Sequence, residues 1–525
     1  MTDGADRKTN GADNYKWRVL GVVVFGIFMV ILDTTVVNVA FPTMRDQFHA
    51  SLAASQWIVS LYMLALGITT PMAGLLSDRF GMKRMYLAGL ALFVVGSLGS
   101  GLAPSLSVLV ATRAVQGVGG GIALPLGTAM LFAAFPPSEQ GFALGLYGVA
   151  LLLAPALGPL LGGYLVDQNL WRWIFFINIP IGIIGVALGS FLLRESTRET
   201  DTGVDVAGIV TSVIGYGAML YAASVASNIG WASIGVVAPF VVGAVGLALL
   251  VTIELRRRRD PLLDFHLFGN WTFLNASLVG WVTVMALFGA EFLMPIYLQM
   301  LRGRTAFSTG LILLPLAITA GITTPIAGRL YDKIGPRPLV VFGFVVLCVN
   351  TWQLSELTGT TSIAWVLFLM ALRGLALGST VQSTYATALG TVARQRVARG
   401  SSLINSTRFV VQSIAIAVFA TVVAGSLSPA SRATDARLEA QPLAAQKGHG
   451  LCESTEGGRI TATSGAALER ACIENMRGFE QAYRLTFWFA LLALSLGALL
   501  PGWPFGWAGR AALAGDAPTR RAVAT

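Results

Sequence analysis

Long apolar runs alternate with short polar breaks along almost the whole chain. A helix rises 1.5 Å per residue, so about 20 apolar residues cross a bilayer core. On that rule the pattern predicts spanning helices over 17–41, 55–76, 84–104, 106–134, 141–165, 171–193, 206–226, 233–254, 271–299, 307–328, 338–356, 361–389, 402–427 and 484–506, fourteen in all. The run from 106 to 165 is cut at PPSEQG (136–141), where paired prolines and a glycine mark a turn.

A second pattern lies over the first. Residues 69–84 read TTPMAGLLSDRFGMKR and residues 323–338 read TTPIAGRLYDKIGPRP. Thr-Thr-Pro, Ala-Gly, Leu, Asp and Gly recur in register, so Asp78 matches Asp332 and Gly81 matches Gly335. Each copy follows the second span of a six-span unit. Spans 1–6 and 9–14 therefore read as two parallel halves, with spans 7 and 8 inserted between them.

Composition agrees with a bilayer solvent. The chain has 525 residues, 55% hydrophobic and 12% charged, with mean hydropathy +0.70. Soluble domains are about 25% charged. The net charge of +10 does not point to nucleic acid, because the basic residues are dispersed through short loops. With the N-terminus inside, about 22 Lys and Arg fall in inner segments and about 4 (Arg45, Arg172, Arg302, Arg304) in short outer loops. Both termini are then cytoplasmic. The first run contains Asp33 and lacks an A-x-A-like cleavage site, so it reads as a retained span. No P-loop, zinc-ligand spacing or nucleophile–base pattern occurs, which leaves no cofactor, no metal and no enzyme to propose.

The fold class expected is an all-α integral membrane protein of two six-helix bundles plus two inserted transmembrane helices, 14 spans, multi-pass in the cell (inner or cytoplasmic) membrane. The divisions are a tail over 1–16, a bundle over 17–193, a linker with two inserted helices over 194–260, a bundle over 261–506 and a tail over 507–525. The insert reads as a peripheral hairpin. The outer loop 428–483 reads as a helical hairpin near the cavity mouth. Cys452 and Cys472 lie in it, facing an oxidising compartment, and a disulfide is expected there.

Charges inside apolar runs are costly, about 2.5–3.5 kcal/mol each on insertion scales, and need a reason. Asp33 and Arg113 fall at similar depth in spans 1 and 4. Glu291 and Arg373 do the same in spans 9 and 12, the matching helices of the second half. The reading is a polar central cavity with Asp33 and Glu291 as proton-coupling acids and Arg113 and Arg373 as their basic partners; two structural ion pairs are the plainer alternative. Arg408 in span 13 has no acid in view, and snorkelling to the cytoplasmic interface suffices for it. Tyr62, Trp57, Trp281, Met285 and Phe288 could line a cavity or face lipid.

Five stretches in order resemble the major facilitator superfamily, specifically its fourteen-span drug:proton antiporter branch (EmrB/QacA-like). LDTTVVNVAFP (32–42) is similar to the first-helix motif, and GLLSDRFGMKR (74–84) to the loop 2–3 motif, with Met82 in place of the usual Arg. ATRAVQGVGGG (111–121) resembles the fourth-helix motif. PALGPLLGG (155–163) resembles the fifth-helix antiporter motif, with Ala154 where the fuller pattern has Gly, and WRWIFFINIPIG (171–182) is typical of the branch. The resemblance implies proton-coupled multidrug efflux by alternating access, with small lipophilic substrates and protons as partners in membrane lipid, no nucleic acid, and a monomer. The alternative in the same fold is an exporter of a single native metabolite or lipid. The resemblance further implies that Gly74, Asp78, Arg79, Gly81 and Arg84, with Asp332 and Gly335 in the second copy, latch the cytoplasmic side. It ties Pro155, Gly158, Pro159, Gly162 and Gly163 to export. Few intramembrane acids point to neutral or monocationic substrates. Neither a periplasmic adaptor nor the substrate can be named from these residues.

Overall fold

The structure is a computed structural model and describes residues 3–196, 205–257, 261–426, 428, 431, 452 and 462–503. It is all-helical over these residues. The order is α1 (Asp3–Gln47), α2 (Leu52–Thr69), α3 (Met72–Phe80), α4 (Met82–Gly101), α5 (Leu106–Ala134), α6 (Gln140–Asp167), α7 (Trp173–Phe176) and α8 (Asn178–Leu192). Then come α9 (Val206–Ile229), α10 (Ile234–Arg256), α11 (Trp271–Ile296), α12 (Ala306–Ile334), α13 (Pro336–Ser355), α14 (Ile363–Gly390), α15 (Val397–Gly425) and α16 (Ala462–Gly497). Among the described residues, eleven helices are long and apolar enough to cross a membrane, or twelve when the bent pair α2–α3 counts as one span. Two expected spans fall outside that number: the apolar described part of α11 is only Trp271–Ala286, and α16 opens with a polar half.

The internal repeat extends to the helix caps. Ser51 and Thr305 accept bonds from the backbone N–H groups of Ala54 and Ser308, opening the second helix of each half. Ser105 and Ser362 do the same for the fourth helices, α5 and α14. Each hydroxyl satisfies a donor that the helix start leaves open. The turn after the repeated motif needs a positive φ, and glycine supplies it twice: Gly81 at +95° and Gly335 at +83°.

The two copies of Thr-Thr-Pro differ in outcome. In the first half the chain bends by 55° between α2 and α3. In the second, α12 runs unbroken through Pro325. Proline removes one helix bond in both. The difference is support: α12 lies against α6 with almost no side chain between them. A Cβ on Gly328 would stand 2.3 Å from the Gly141 carbonyl oxygen, and one on Gly145 would stand 2.7 Å from that of Thr324.

Several expectations change. The first helix begins at Asp3, so most of the segment read as a tail is the start of α1. The inserted hairpin, α9 and α10, packs tightly on itself at Gly215 and Gly246. It is not peripheral: α9 crosses the seam between the halves. Leu220 fills the space over Gly67 of α2, and Trp57 stacks on Tyr221 at 6.0 Å. On the other side Trp231 donates to Thr421 of α15 at 2.6 Å, and Ala417 joins the alanines of α9. In the outer loop, the expected second helical arm is the beginning of α16 and continues into the last span. The first arm, SRATDARLEAQPLAAQ, lies almost wholly outside the described residues.

Cys452 and Cys472 are joined by a disulfide, with Cα atoms 5.2 Å apart across 20 residues of sequence. The Cys452 N–H donates to the Leu301 carbonyl at 3.0 Å, so the bridge fastens α16 to the π-helical turn Tyr297–Leu301 that follows α11. Closing such a loop stabilises by about 3 kcal/mol in the chain-entropy account. Dithiothreitol should lower the thermal denaturation midpoint of the wild-type chain and leave C452S/C472S unmoved. Equal sensitivity of both proteins would exclude the bridge as the cause.

Candidate functional site

Asp33 sits in the middle of α1 and is 1% exposed. Arg113 of α5, also 1% exposed, forms an ion pair with one carboxylate oxygen. The other oxygen accepts from Gln116 Nε2 at 3.2 Å and Asn178 Nδ2 at 2.8 Å. Gln116 and Asn178 both reach Ser97 of α4, at 2.6 and 3.1 Å. Arg113 also donates to the Ile58 carbonyl and lies 4.0 Å over the Tyr62 ring. Helices α1, α2, α4, α5 and α8 thus meet at one carboxylate. The pair is enclosed within the first half. It does not face an open central cavity, because every oxygen of Asp33 is already satisfied by neighbours of its own bundle.

Arg373 occupies the corresponding place on α14. It is 1% exposed and donates to Asn350 Oδ1 at 3.3 Å and the Ala286 carbonyl at 3.1 Å. Glu291 lies on α11, but its side chain is outside the described residues, as is that of Phe288. The ion pair expected with Arg373 therefore belongs to that undescribed part. Of the other aromatic candidates, Tyr62 lies under Arg113, Trp57 stacks on Tyr221 of the insert, and Trp281 lines a cavity between α11, α14 and α15.

The two motif acids do reach across the seam. Asp78 on α3 pairs with Arg399 of α15, Oδ2 to Nε 2.5 Å. Ser402 on the same helix accepts from the Gly74 N–H at 2.9 Å. A Cβ at Gly74 would stand 2.9 Å from the Arg399 Cα, so this glycine lets the helices touch. Asp332 at the end of α12 accepts from the N–H groups of Gly141 and Phe142 at 2.9 and 3.0 Å, at the start of α6. A carboxylate is well placed there, against the positive end of a helix dipole. In each half, then, the second helix grips the fifth helix of the other. The remaining motif cations stay at home. Arg79 is exposed over Phe80, and Arg84 reaches Glu195, just past the end of α8, at 3.6 Å.

The α6 motif stands between two neighbours. Gly158 and Gly162 face α1: a Cβ at Gly158 would stand 2.1 Å from Thr35 Oγ1, and one at Gly162 3.1 Å from Val39. Pro159 and Gly163 face α12 of the other half, against Gly310 and Phe307. Pro155 and Pro159 both lie inside α6, each removing a backbone bond. The motif therefore joins the helix that carries Asp33 to the opposite bundle.

Gln116, Asn178, Ser97, Asn350, Arg399 and Ser402 were not singled out from the sequence. Gln116 had a usable signal: it lies three residues after Arg113, on the same helix face. Asn178 stood inside a quoted apolar motif. Arg399 gave no signal, since it counts equally well as a topogenic charge.

The Major Facilitator Superfamily profile matches residues 23–416. The multidrug resistance protein Stp of Mycobacterium tuberculosis is 33% identical over 404 residues, 77% of this chain and 75% of that protein. The lincomycin resistance protein LmrB of Bacillus subtilis is 29% identical over 422 residues, 79% of this chain and 88% of that protein. Among solved structures, the proton:xylose symporter XylE shares the fold at a TM-score of 0.58 with 14% identity, covering 93% of this chain and 97% of that one.

Two expectations follow from the geometry. Removing Arg113 alone leaves a buried acid uncompensated, which costs about 3–5 kcal/mol. R113L should therefore lose more folded yield and melting temperature than D33N/R113Q, which keeps neutral hydrogen-bonding groups at both positions. Similar losses in the two would show that the pair is not the anchor described. At the seam, D78N and R399Q should each shift the paired ends of α3 and α15 toward separation by about ten- to a hundredfold, given about 1.5–3 kcal/mol for a charged hydrogen bond. Spin-label distances between those ends read this directly, and unchanged distance distributions in both variants would remove the latch.

Proposed function

The chain belongs to the Major Facilitator Superfamily, and on that premise we propose that it is a proton-coupled multidrug exporter of the fourteen-span branch, working by alternating access. It is a multi-pass protein of the cell membrane, in a family of transporters rather than enzymes. Export is supported by relatives named for drug and lincomycin resistance.

The observation that carries the proton-coupling reading is the enclosed Asp33 and its mechanical neighbour. Two residues further along α1, Thr35 packs on Gly158 of α6, and the same turn of α6 packs on α12. Protonating Asp33 would remove one charge of its pair with Arg113 and weaken the tie between α1 and α5. That change would pass through Thr35 and Gly158 to the interface between the halves. The contacts of Asp78 with Arg399 and of Asp332 with α6 support a reading in which these residues hold the cytoplasmic side closed. A proton entering from outside would load Asp33 as the grip is released, and substrate and proton would exchange places. A ligand shifts such an equilibrium only by binding the two states unequally, and the proton does so here through a contact that only the ionised acid makes.

The test is reconstitution in lipid vesicles with an inward-acidic pH gradient and a lumenal pH dye. Lipophilic cationic, neutral and anionic dyes are added to wild type and to D33N. Several dyes should dissipate the gradient with wild type and none with D33N. A single active compound class would favour a narrow metabolite or lipid exporter. Wild-type behaviour of D33N with active dyes would remove Asp33 from the coupling and make Glu291 the next residue to substitute.

A further inference from the structure

Arg408 stands apart from the other intramembrane cations. Arg113 has Asp33, Arg399 has Asp78, and Arg373 has Asn350 and a backbone carbonyl. Arg408 is half-buried, eleven residues into α15, about 16 Å along it. That depth does not suit snorkelling to the cytoplasmic surface. Its electrostatic neighbours are two tyrosines, Tyr385 of α14 and Tyr147 of α6, one from each half. Among the described residues it makes no hydrogen bond and no ion pair.

Arg408 also lines a narrow cavity between α11, α14 and α15. Around it are Trp281, Val284, Tyr385 and Ile404, with Ser277 and Thr384 as small polar groups. Trp281 is held by a bond from its Nε1 to Thr407 at 3.0 Å, and the Tyr385 hydroxyl is held by Ser401 and Asn405. The walls are therefore fixed, while the cation is left open. A guanidinium presents several donors in a planar fork that fits a carboxylate, sulfonate or phosphate group. Holding such a group unpaired in this setting is costly unless something else satisfies it. Apolar and aromatic walls with one cation and no described acid would repel a cationic ligand.

We propose that Arg408 is the anion-recognising residue of the substrate cavity, and that the exported compounds are apolar, aromatic-bodied molecules carrying an anionic group. This rests on the export reading and names its substrate class. It departs from the neutral or monocationic expectation drawn from the sequence. The sequence places Arg408 in an apolar run but does not show the aromatic-walled cavity beside it.

The experiment measures binding to the full chain in lipid nanodiscs, with protein-free nanodiscs as blank. Two probes share one body: 8-anilinonaphthalene-1-sulfonate carries the anion, and N-phenyl-1-naphthylamine lacks it. Wild type should bind the sulfonate about tenfold more tightly. R408Q should weaken the sulfonate by about ten- to a hundredfold and move the neutral probe by less than about twofold, while R408K keeps part of the preference. Retained neutral-probe binding reports that R408Q is folded. Equal loss of both probes, no loss of the sulfonate, equal or absent binding of both by wild type, or tighter binding of ethidium would each overturn the assignment. Binding needs no pH gradient, so a failure of proton-coupled export appears only in the vesicle assay and leaves this result readable by itself.

Discussion

In hydrocarbon, no water is present to complete a hydrogen bond or screen a charge, so every backbone polar group must be satisfied inside the protein and an unpartnered side chain is costly. The structure is organised by that demand. It makes each long apolar run a helix. It also brings Ser97, Arg113, Gln116 and Asn178 from three helices around the carboxylate of a fourth. The Asp33–Arg113 pair is thus an anchor as well as a candidate proton site. Both roles come from the same chemistry, because the contacts that stabilise an ionised acid are those that its protonation weakens.

The same demand shapes the contact between the halves. The end of it that carries the repeated motif is polar and directional, with a carboxylate on a guanidinium at one edge and a carboxylate on two backbone N–H groups at the other. Its length is nearly bare backbone, where Gly141 and Gly145 of α6 lie against α12. The first kind of contact is lost over a fraction of an ångström of misalignment and suits a switch. The second relies on dispersion and shape, tolerates small rolling motions, and suits a bearing. A bilayer helix pair has no hydrophobic drive to associate, so the close glycine contact matters more here than it would in water.

Much of this was legible beforehand. The halves, the turn glycines Gly81 and Gly335, and the matched depth of Asp33 and Arg113 follow from period, repeat and rise per residue. The partners of Asp78 and Asp332 did not. Arg399 lies in a loop-proximal basic cluster where topology alone explains a positive charge, and backbone N–H groups leave no mark in a sequence. The bend between α2 and α3 was hidden for a related reason. Identical Thr-Thr-Pro letters give a break in one half and a continuous helix in the other, and the deciding term is the neighbour, not the local sequence. The seam-crossing position of α9 was also out of reach, since an apolar face reads the same against lipid as against protein.

That position constrains how the halves can move. Gly67 and Trp57 of α2 lie against one side of α9, while Ala417 of α15 lies against the α9 alanines and Thr421 of α15 bonds Trp231 in the turn just past α9. A separation of α2 from α15 at that level must break one set or carry α9 along with one half. The Trp231–Thr421 hydrogen bond is directional, whereas the contact with α2 is an apolar fit of Leu220 over Gly67 and a stacked ring pair. Sliding an apolar face costs little where lipid can follow; breaking a hydrogen bond in hydrocarbon leaves two polar groups unsatisfied. The lower-energy course keeps α9 with the second half and lets α2 move past it. In the alternating-access cycle proposed above, the seam would then stay screened from lipid on the insert's side, with the first half, which carries Asp33, moving relative to α9 and the second half together.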